Sequence, residues 1–110
     1  MTQEDKELLL KDLCARLLYG VKYQDRIEGG IHIMSMGIVH HYERFIPYLR
    51  PMTSMTEEEY KEYRLLNDLV TIDGALVIDA NQIDWLNAHH FDYRGLIGKG
   101  LAIEAPEGMY

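Results

Sequence analysis

Apolar residues recur along this chain with two different periods, and the change between them divides it into elements. Up to residue 20 the period is helical. Leu10, Leu13, Cys14, Leu17 and Leu18 fall at i, i+3, i+4, i+7 and i+8, the spacing of one buried stripe. Ahead of the stripe, Thr2 and Asp5 form a capping-box pattern, and acids at positions 4, 5 and 7 suit the positive end of a helix dipole. Gly20 then supplies the left-handed residue that commonly ends a helix. Cys14 lies inside the stripe in mid-helix, away from the positive charge or helix N-terminus that activates a thiol, so it is expected in the core.

Between 21 and 46 the period shortens. "VKYQ" alternates apolar and polar residues, "IEGG" punctuates, and "IHIMSM" and "IVHHYERFI" are rich in β-branched and aromatic types. Gly37 marks a turn or bulge between the last two, and the whole predicts a three-stranded antiparallel meander. Neither alternating face of 31–46 is cleanly apolar, so the pattern leaves the register open. "PYLRPMTSM" at 47–55 predicts a connection, since two prolines disfavour continued sheet pairing.

A second helix follows. Thr56 and Glu59 form a capping box, and Met55 is placed to staple onto Tyr60. The "EEE" run at 57–59 faces the helix dipole favourably, and Tyr60, Tyr63, Leu66 and Leu69 form the inner face. "LVTIDGALVID" predicts a hairpin turning at Asp73-Gly74, a favoured type I′ pair. Asn81 with Asp84 caps a third helix that carries Ile83, Leu86 and His90 on one side. Asp92 caps a last helical turn, "YRGLI", and Gly98 and Gly100 end it. The predicted fold class is α+β: one small domain over 1–110, with antiparallel strands (meander plus hairpin) packed against three helices. Residues 101–110 are expected to form an extended docking tail.

Composition narrows the function. The chain has 110 residues, 47% of them apolar, enough for one core. One cysteine allows no internal disulfide. The opening "MTQEDKELLL" lacks the basic start and apolar run of a signal peptide. The longest uncharged run, 29–42, is 14 residues broken by three histidines, short of the roughly 18 apolar residues that a membrane helix needs. A cytoplasmic protein without a membrane partner is expected. Net charge is −7: residues 1–54 balance seven acids with seven bases, whereas 55–110 carry eleven acids and four bases. Such a surface repels nucleic-acid backbones, and no Lys/Arg cluster offsets it, so no nucleic acid is expected as partner. An acidic DNA mimic would need aligned acids, and only 57–59 is a run.

Two strings, "PYLRPMTSMTEEE" (47–59) and "IDWLNAHHFDYRGLIGKGLAIEAPEGMY" (83–110), together resemble a group of short, uncharacterised proteins from gut Bacteroidales genomes and their phages or prophages. "LLLKDLCARLLYGVK" (8–22) is similar to that group as well, so the resemblance covers roughly half of the chain. It implies a mobile-element setting, assigns no activity, and gives no residue a role.

Neighbouring histidines make poor joint ligands: on a strand His40 and His41 point to opposite faces, and on a helix His89 and His90 diverge by about 100°. A site would have to combine one of each pair with His32, Glu43 or Asp92. His90, Asp92 and Tyr93 are near in sequence, but no nucleophile motif accompanies them. "GLIGKG" departs from a phosphate loop both in spacing and in following a helix. No catalytic, cofactor-binding or metal-binding residue is therefore assigned, and no cofactor is expected. Trp85, Phe91, Tyr93, Leu101, Ile103, Met109 and Tyr110 put large side chains within 26 residues, more than so small a core is expected to cover. They are the candidate contact residues for a protein partner or a second copy. The expectation is thus a non-enzymatic interaction protein that uses its acidic C-terminal half. The alternative from another class is a small metal-dependent enzyme built on the histidines and Asp92.

Overall fold

Thr2 closes the capping box expected of it. Its hydroxyl accepts from the Asp5 N–H at 3.0 Å, and the Asp5 carboxylate accepts from the Thr2 N–H at 3.3 Å. The structure, a computed structural model, describes residues 2–33, 42–66, 71–72, 75–76 and 80–110. The helix that Thr2 starts, α1 (Gln3–Arg16), continues through a 3₁₀ turn at Leu17–Tyr19 to Gly20, whose φ of 68° is the expected left-handed end.

The buried face of α1 is not the expected one. Leu9, Asp12, Leu13 and Arg16 are inside, a stripe at i, i+3, i+4 and i+7 that begins one residue early. Cys14 is exposed rather than core, and Leu18 is 89% exposed. The cause is an ion pair: Arg16 Nε donates to Asp12 Oδ2 at 2.7 Å, with both side chains fully buried. Hydropathy treats both as surface residues and so turns the helix the wrong way.

Three strands follow: β1 (Lys22–Asp25), β2 (Ile31–Ile33) and β3 (Phe45–Pro51). β1 is central. It pairs antiparallel with both others, Gln24 standing opposite Ile31 on one side and Ile46 on the other. The order is therefore β2-β1-β3, and not a meander, which would put β2 in the middle. The predicted turn at Gly37 lies outside the described residues.

The expected connection at 47–55 is also corrected, because β3 runs through both prolines. The Arg26 N–H donates to Arg44 O at 2.9 Å. Bonded pairs alternate along an antiparallel ladder, so the next falls at Gln24–Ile46, and Tyr23–Pro47 is a non-bonded pair. The missing N–H of Pro47 thus faces away from β1 and removes no rung. Pro51 ends the strand.

Farther along, β3 is paired parallel by β6 (Phe91–Asp92) and β7 (Ile103–Glu104), which makes the sheet mixed. The Arg50 N–H donates to His90 O at 2.8 Å, while Leu49 O accepts from the Ala105 N–H at 2.7 Å. Neighbouring strand residues aim their backbone groups at opposite edges. β6 therefore follows β1 on one edge of β3, and β7 takes the other.

Helix α2 (Glu57–Leu65) starts at Thr56 with both arms of the expected capping box in place, at 3.0 and 3.1 Å. Its inner face is narrower than expected: Tyr63 and Leu66 are half-buried, Tyr60 is exposed, and Leu69 lies outside the described residues. β4 (Thr71–Ile72) and β5 (Ala75–Leu76) pair antiparallel as the hairpin predicted, with Asp73 and Gly74 outside the described residues. Helix α3 (Ala80–Ala88) begins before Asn81, so Asn81 is not its cap. Gln82, Trp85, Leu86 and Asn87 form its buried face, while Ile83 is exposed.

The described residues hold three helices and a mixed five-stranded sheet, the α+β class expected. Two apolar clusters fill them. One joins Leu9 and Leu13 of α1 to Val21, Tyr23, Phe45, Leu49, Leu96 and Leu101. The other gathers Trp85, Leu86 and Phe91 beneath Met55, Tyr63, Leu66 and Tyr93. Among the described residues no helix is long and apolar enough to cross a membrane.

Candidate functional site

α3 ends in an unusual way. The His90 N–H donates to Asn87 O at 3.1 Å, and the His90 backbone turns left-handed, with φ of 64°. Glycine is the residue most often found there, because it alone escapes the Cβ clash. The turn drops the chain into β6 and carries the imidazole inward, where it is buried. Burial and then the positive charge of Arg16, Arg50 and Lys22 push His90 down to about 4, so the ring is neutral near pH 7.

Beside it lies a set of charges, Asp12 and Arg16 fully buried and Arg94 half-buried, that the sequence reading missed. The Asp12 carboxylate takes Arg16 on one oxygen and Arg94 Nη1 on the other, at 2.7 and 2.9 Å. Arg16 Nη2 also donates to Phe91 O at 2.6 Å, one residue from His90. Both guanidinium groups lie over the Tyr93 ring, at 5.3 and 4.9 Å. The only local signal was an Asp–Arg pair at i, i+4 inside an apolar helix face. Its counterpart, Arg94, is 82 residues away.

Tyr110 covers this region. Its ring stacks on His90 with centroids 3.7 Å apart and planes 17° from parallel. Its hydroxyl accepts from the Lys22 N–H at 2.8 Å and donates to Tyr48 O at 2.7 Å. Lys22 and Tyr48 stand one bonded rung beyond the last β1–β3 pair, so the phenol replaces a ladder bond. The Lys22 ammonium holds Met109 O at 2.7 Å. Burial pushes the Tyr110 hydroxyl up to about 12, keeping it protonated and able to donate.

The tail separates two clefts. One, of about 590 Å³, is bordered by Arg50, Glu59, Glu104, Glu107 and Tyr110. In it Arg50 forms a two-pronged pair with Glu59, 2.8 Å on each arm, which holds that carboxyl down at about 2. The other, of about 560 Å³, is bordered by Lys22, Ile31, His32, Ile33 and Met109. Beside it the β1–β2 hairpin exposes Ile27, Ile31 and Ile33 by 75%, 56% and 64%.

Of the contact residues expected from sequence, Trp85, Phe91 and Leu101 are buried within the two clusters. Tyr93, Ile103 and Met109 are half-buried, and Tyr110 is 37% exposed. The aromatic residues are not surplus after all, because a second cluster takes them up. Asp92 accepts from the Leu96 and Ile97 N–H groups at 2.9 Å each, but the helical turn expected over 93–97 does not form: Gly95 is left-handed, with φ of 74°, and the chain turns over 96–100 instead. His89 stacks on Trp85 with centroids 4.1 Å apart. His40 and His41 lie outside the described residues, and among those described no three His, Cys, Asp or Glu residues gather as metal ligands would. Scans of this chain against family models, curated proteins and solved structures find no match.

Proposed function

We propose that this chain is a non-enzymatic interaction protein whose contact face is the Ile27–Ile31–Ile33 hairpin with the tail beside it. One observation carries the reading: Ile31 and Ile33 stand exposed on the edge strand β2 and Ile27 on the turn before it, next to a cleft that Met109 borders. Exposed apolar groups clustered at a sheet edge favour contact with another chain. An extended segment of a protein partner, or of a second copy, would pair its backbone with β2 and bury the isoleucines. The acidic C-terminal half would favour a basic partner surface around that contact. The resemblance of 47–59 and 83–110 to short Bacteroidales and phage proteins supplies the mobile-element setting of this proposal.

The test is sedimentation of wild type and of Ile31→Lys/Ile33→Lys at micromolar concentration, with a pull-down from host lysate by each form. Wild type should self-associate or retain a specific partner, and the double variant should lose that contact while keeping its circular dichroism. A wild type that stays monomeric and retains nothing the variant loses refutes the reading.

A further inference from the structure

We infer that the tail is a displaceable strap, and that the groove beneath it takes an extended segment of a protein partner anchored by a tyrosine. The two clefts share one wall, Pro106, Glu107 and Gly108, and all three residues are exposed. Among the described residues this wall makes no hydrogen bond or ion pair outside its own turn, in which the Met109 N–H donates to Pro106 O at 3.1 Å. Neither apolar cluster includes a residue beyond Ala102, so the wall adds nothing to the core. It stands on two footings. Before it the Ala105 N–H donates to Leu49 O at 2.7 Å, and after it come the contacts of Met109 and Tyr110. With the wall lifted, the clefts of about 590 and about 560 Å³ join into one groove, from Thr56 past Arg50 and Lys22 to Ile33.

The tail itself shows which segment fits. An extended peptide is held by its backbone and set in register by side-chain pockets. Here the pocket suits a phenol. His90 offers a ring face at 3.7 Å, the Lys22 N–H donates to the phenol oxygen at 2.8 Å, and Tyr48 O accepts its proton at 2.7 Å. One residue earlier the Lys22 ammonium takes a backbone carbonyl at 2.7 Å, a contact that any residue type supplies. None of these contacts requires the tyrosine to belong to this chain. A phenylalanine would leave the part-buried Tyr48 O without its donor, and a phosphorylated tyrosine has no hydroxyl left to donate. The inference rests on the contact face proposed above, because Ile31 and Ile33 border the far half of the groove, and it adds the chemistry of the partner.

The probe is the peptide EAPEGMY, a copy of 104–110 with a fluorophore on its N-terminus, titrated by anisotropy against full-length wild type, Tyr110→Ala and Tyr110→Phe. A tethered tail competes for its own seat at an effective concentration on the order of millimolar, so Tyr110→Ala should bind the peptide about tenfold or more tightly than wild type. Tyr110→Phe keeps the ring and should fall between the two. A peptide ending in Phe should bind Tyr110→Ala about tenfold more weakly, the contribution of the two hydrogen bonds of the hydroxyl. A phosphotyrosine peptide should not bind. Circular dichroism checks each variant, and Tyr110→Phe replaces Tyr110→Ala as host if the latter unfolds. Equal affinity across the three proteins, or no binding to a folded variant at millimolar peptide, overturns the strap. Indifference to Phe or to phosphotyrosine overturns the tyrosine seat. Either failure leaves the sedimentation result for Ile31→Lys/Ile33→Lys standing, and a failure there leaves the peptide result standing, so the two proposals fall separately.

Discussion

Replacing Tyr110 by Phe removes one oxygen and keeps the ring, which isolates the rung that the phenol spans. The hydroxyl serves the Lys22 N–H at 2.8 Å and Tyr48 O at 2.7 Å. An intramolecular hydrogen bond contributes about 1 kcal/mol net, and more when the deserted partner is buried. The Lys22 side of the rung is open to water and the Tyr48 side is part-buried, so the lower part of that range applies to the first bond. The expected loss is about 1–2 kcal/mol. With a urea slope of roughly 1–2 kcal/mol/M for a small domain, the midpoint should fall by about 1 M with the slope unchanged. Stacking on His90 survives in the variant, so Tyr110→Ala should cost about 0.5–1.5 kcal/mol more. Hydrogen exchange supplies the local reading: the Lys22 amide should lose protection in Tyr110→Phe while the Gln24 amide keeps it. A midpoint within about 0.2 M of wild type, with Lys22 still protected, would show that the hydroxyl closes no rung.

Two further outcomes are expected. Thr56→Ala should destabilise by about 0.5–2 kcal/mol, and Glu59→Gln should cost more than Glu57→Gln or Glu58→Gln in urea melts, because Glu59 both closes the cap and clamps Arg50. Stability should fall in two stages on acidification: from pH 6.5 toward 4, where the unfolded chain protonates His90 and the folded one does not, and again below about 4.5, where Glu59 and Asp25 are held below their ordinary values and must be protonated. His90→Asn should remove the first stage alone from a series of urea midpoints across that range.

Signals that act within one turn of chain were legible. Both capping boxes need only residues three apart, and each was found where the sequence put it. The β4–β5 pairing, set by a two-residue connection, was equally local. Failures came where a distant partner decides the outcome. Asp12 and Arg16 are buried only because Phe91 O and Arg94, 75 and 82 residues away, meet their hydrogen-bonding groups. Composition alone cannot announce that compensation. Pro47 stays in a strand because its register points the missing N–H off the β1 ladder, a parity that no pattern of residue types encodes. The meander failed for a related reason: hairpin length fixes which strands are joined, and leaves open which edge a later strand takes. Trp85 and Phe91 were misread because one core was assumed where the chain builds two clusters.

The tail joins the proposed contact face to the sheet. β1 stops pairing with β3 at Tyr23–Pro47, β6 pairs with β3 from Arg50 onward, and the single rung between them is filled by the Tyr110 phenol. The same ring stacks on His90, so both its hydroxyl and its face are engaged. Met109 precedes it, borders the isoleucine cleft and is tied to Lys22, so cleft and rung meet at adjacent tail residues. A partner that seats against Ile31 and Ile33 and displaces the tail must break the rung, at a cost of about 1–2 kcal/mol. Tyr110→Phe removes that cost in advance, so it should then bind the partner, or a second copy, up to about tenfold more tightly than wild type. Equal affinity of the two proteins would show that the tail stays in place and that the isoleucines alone carry the contact.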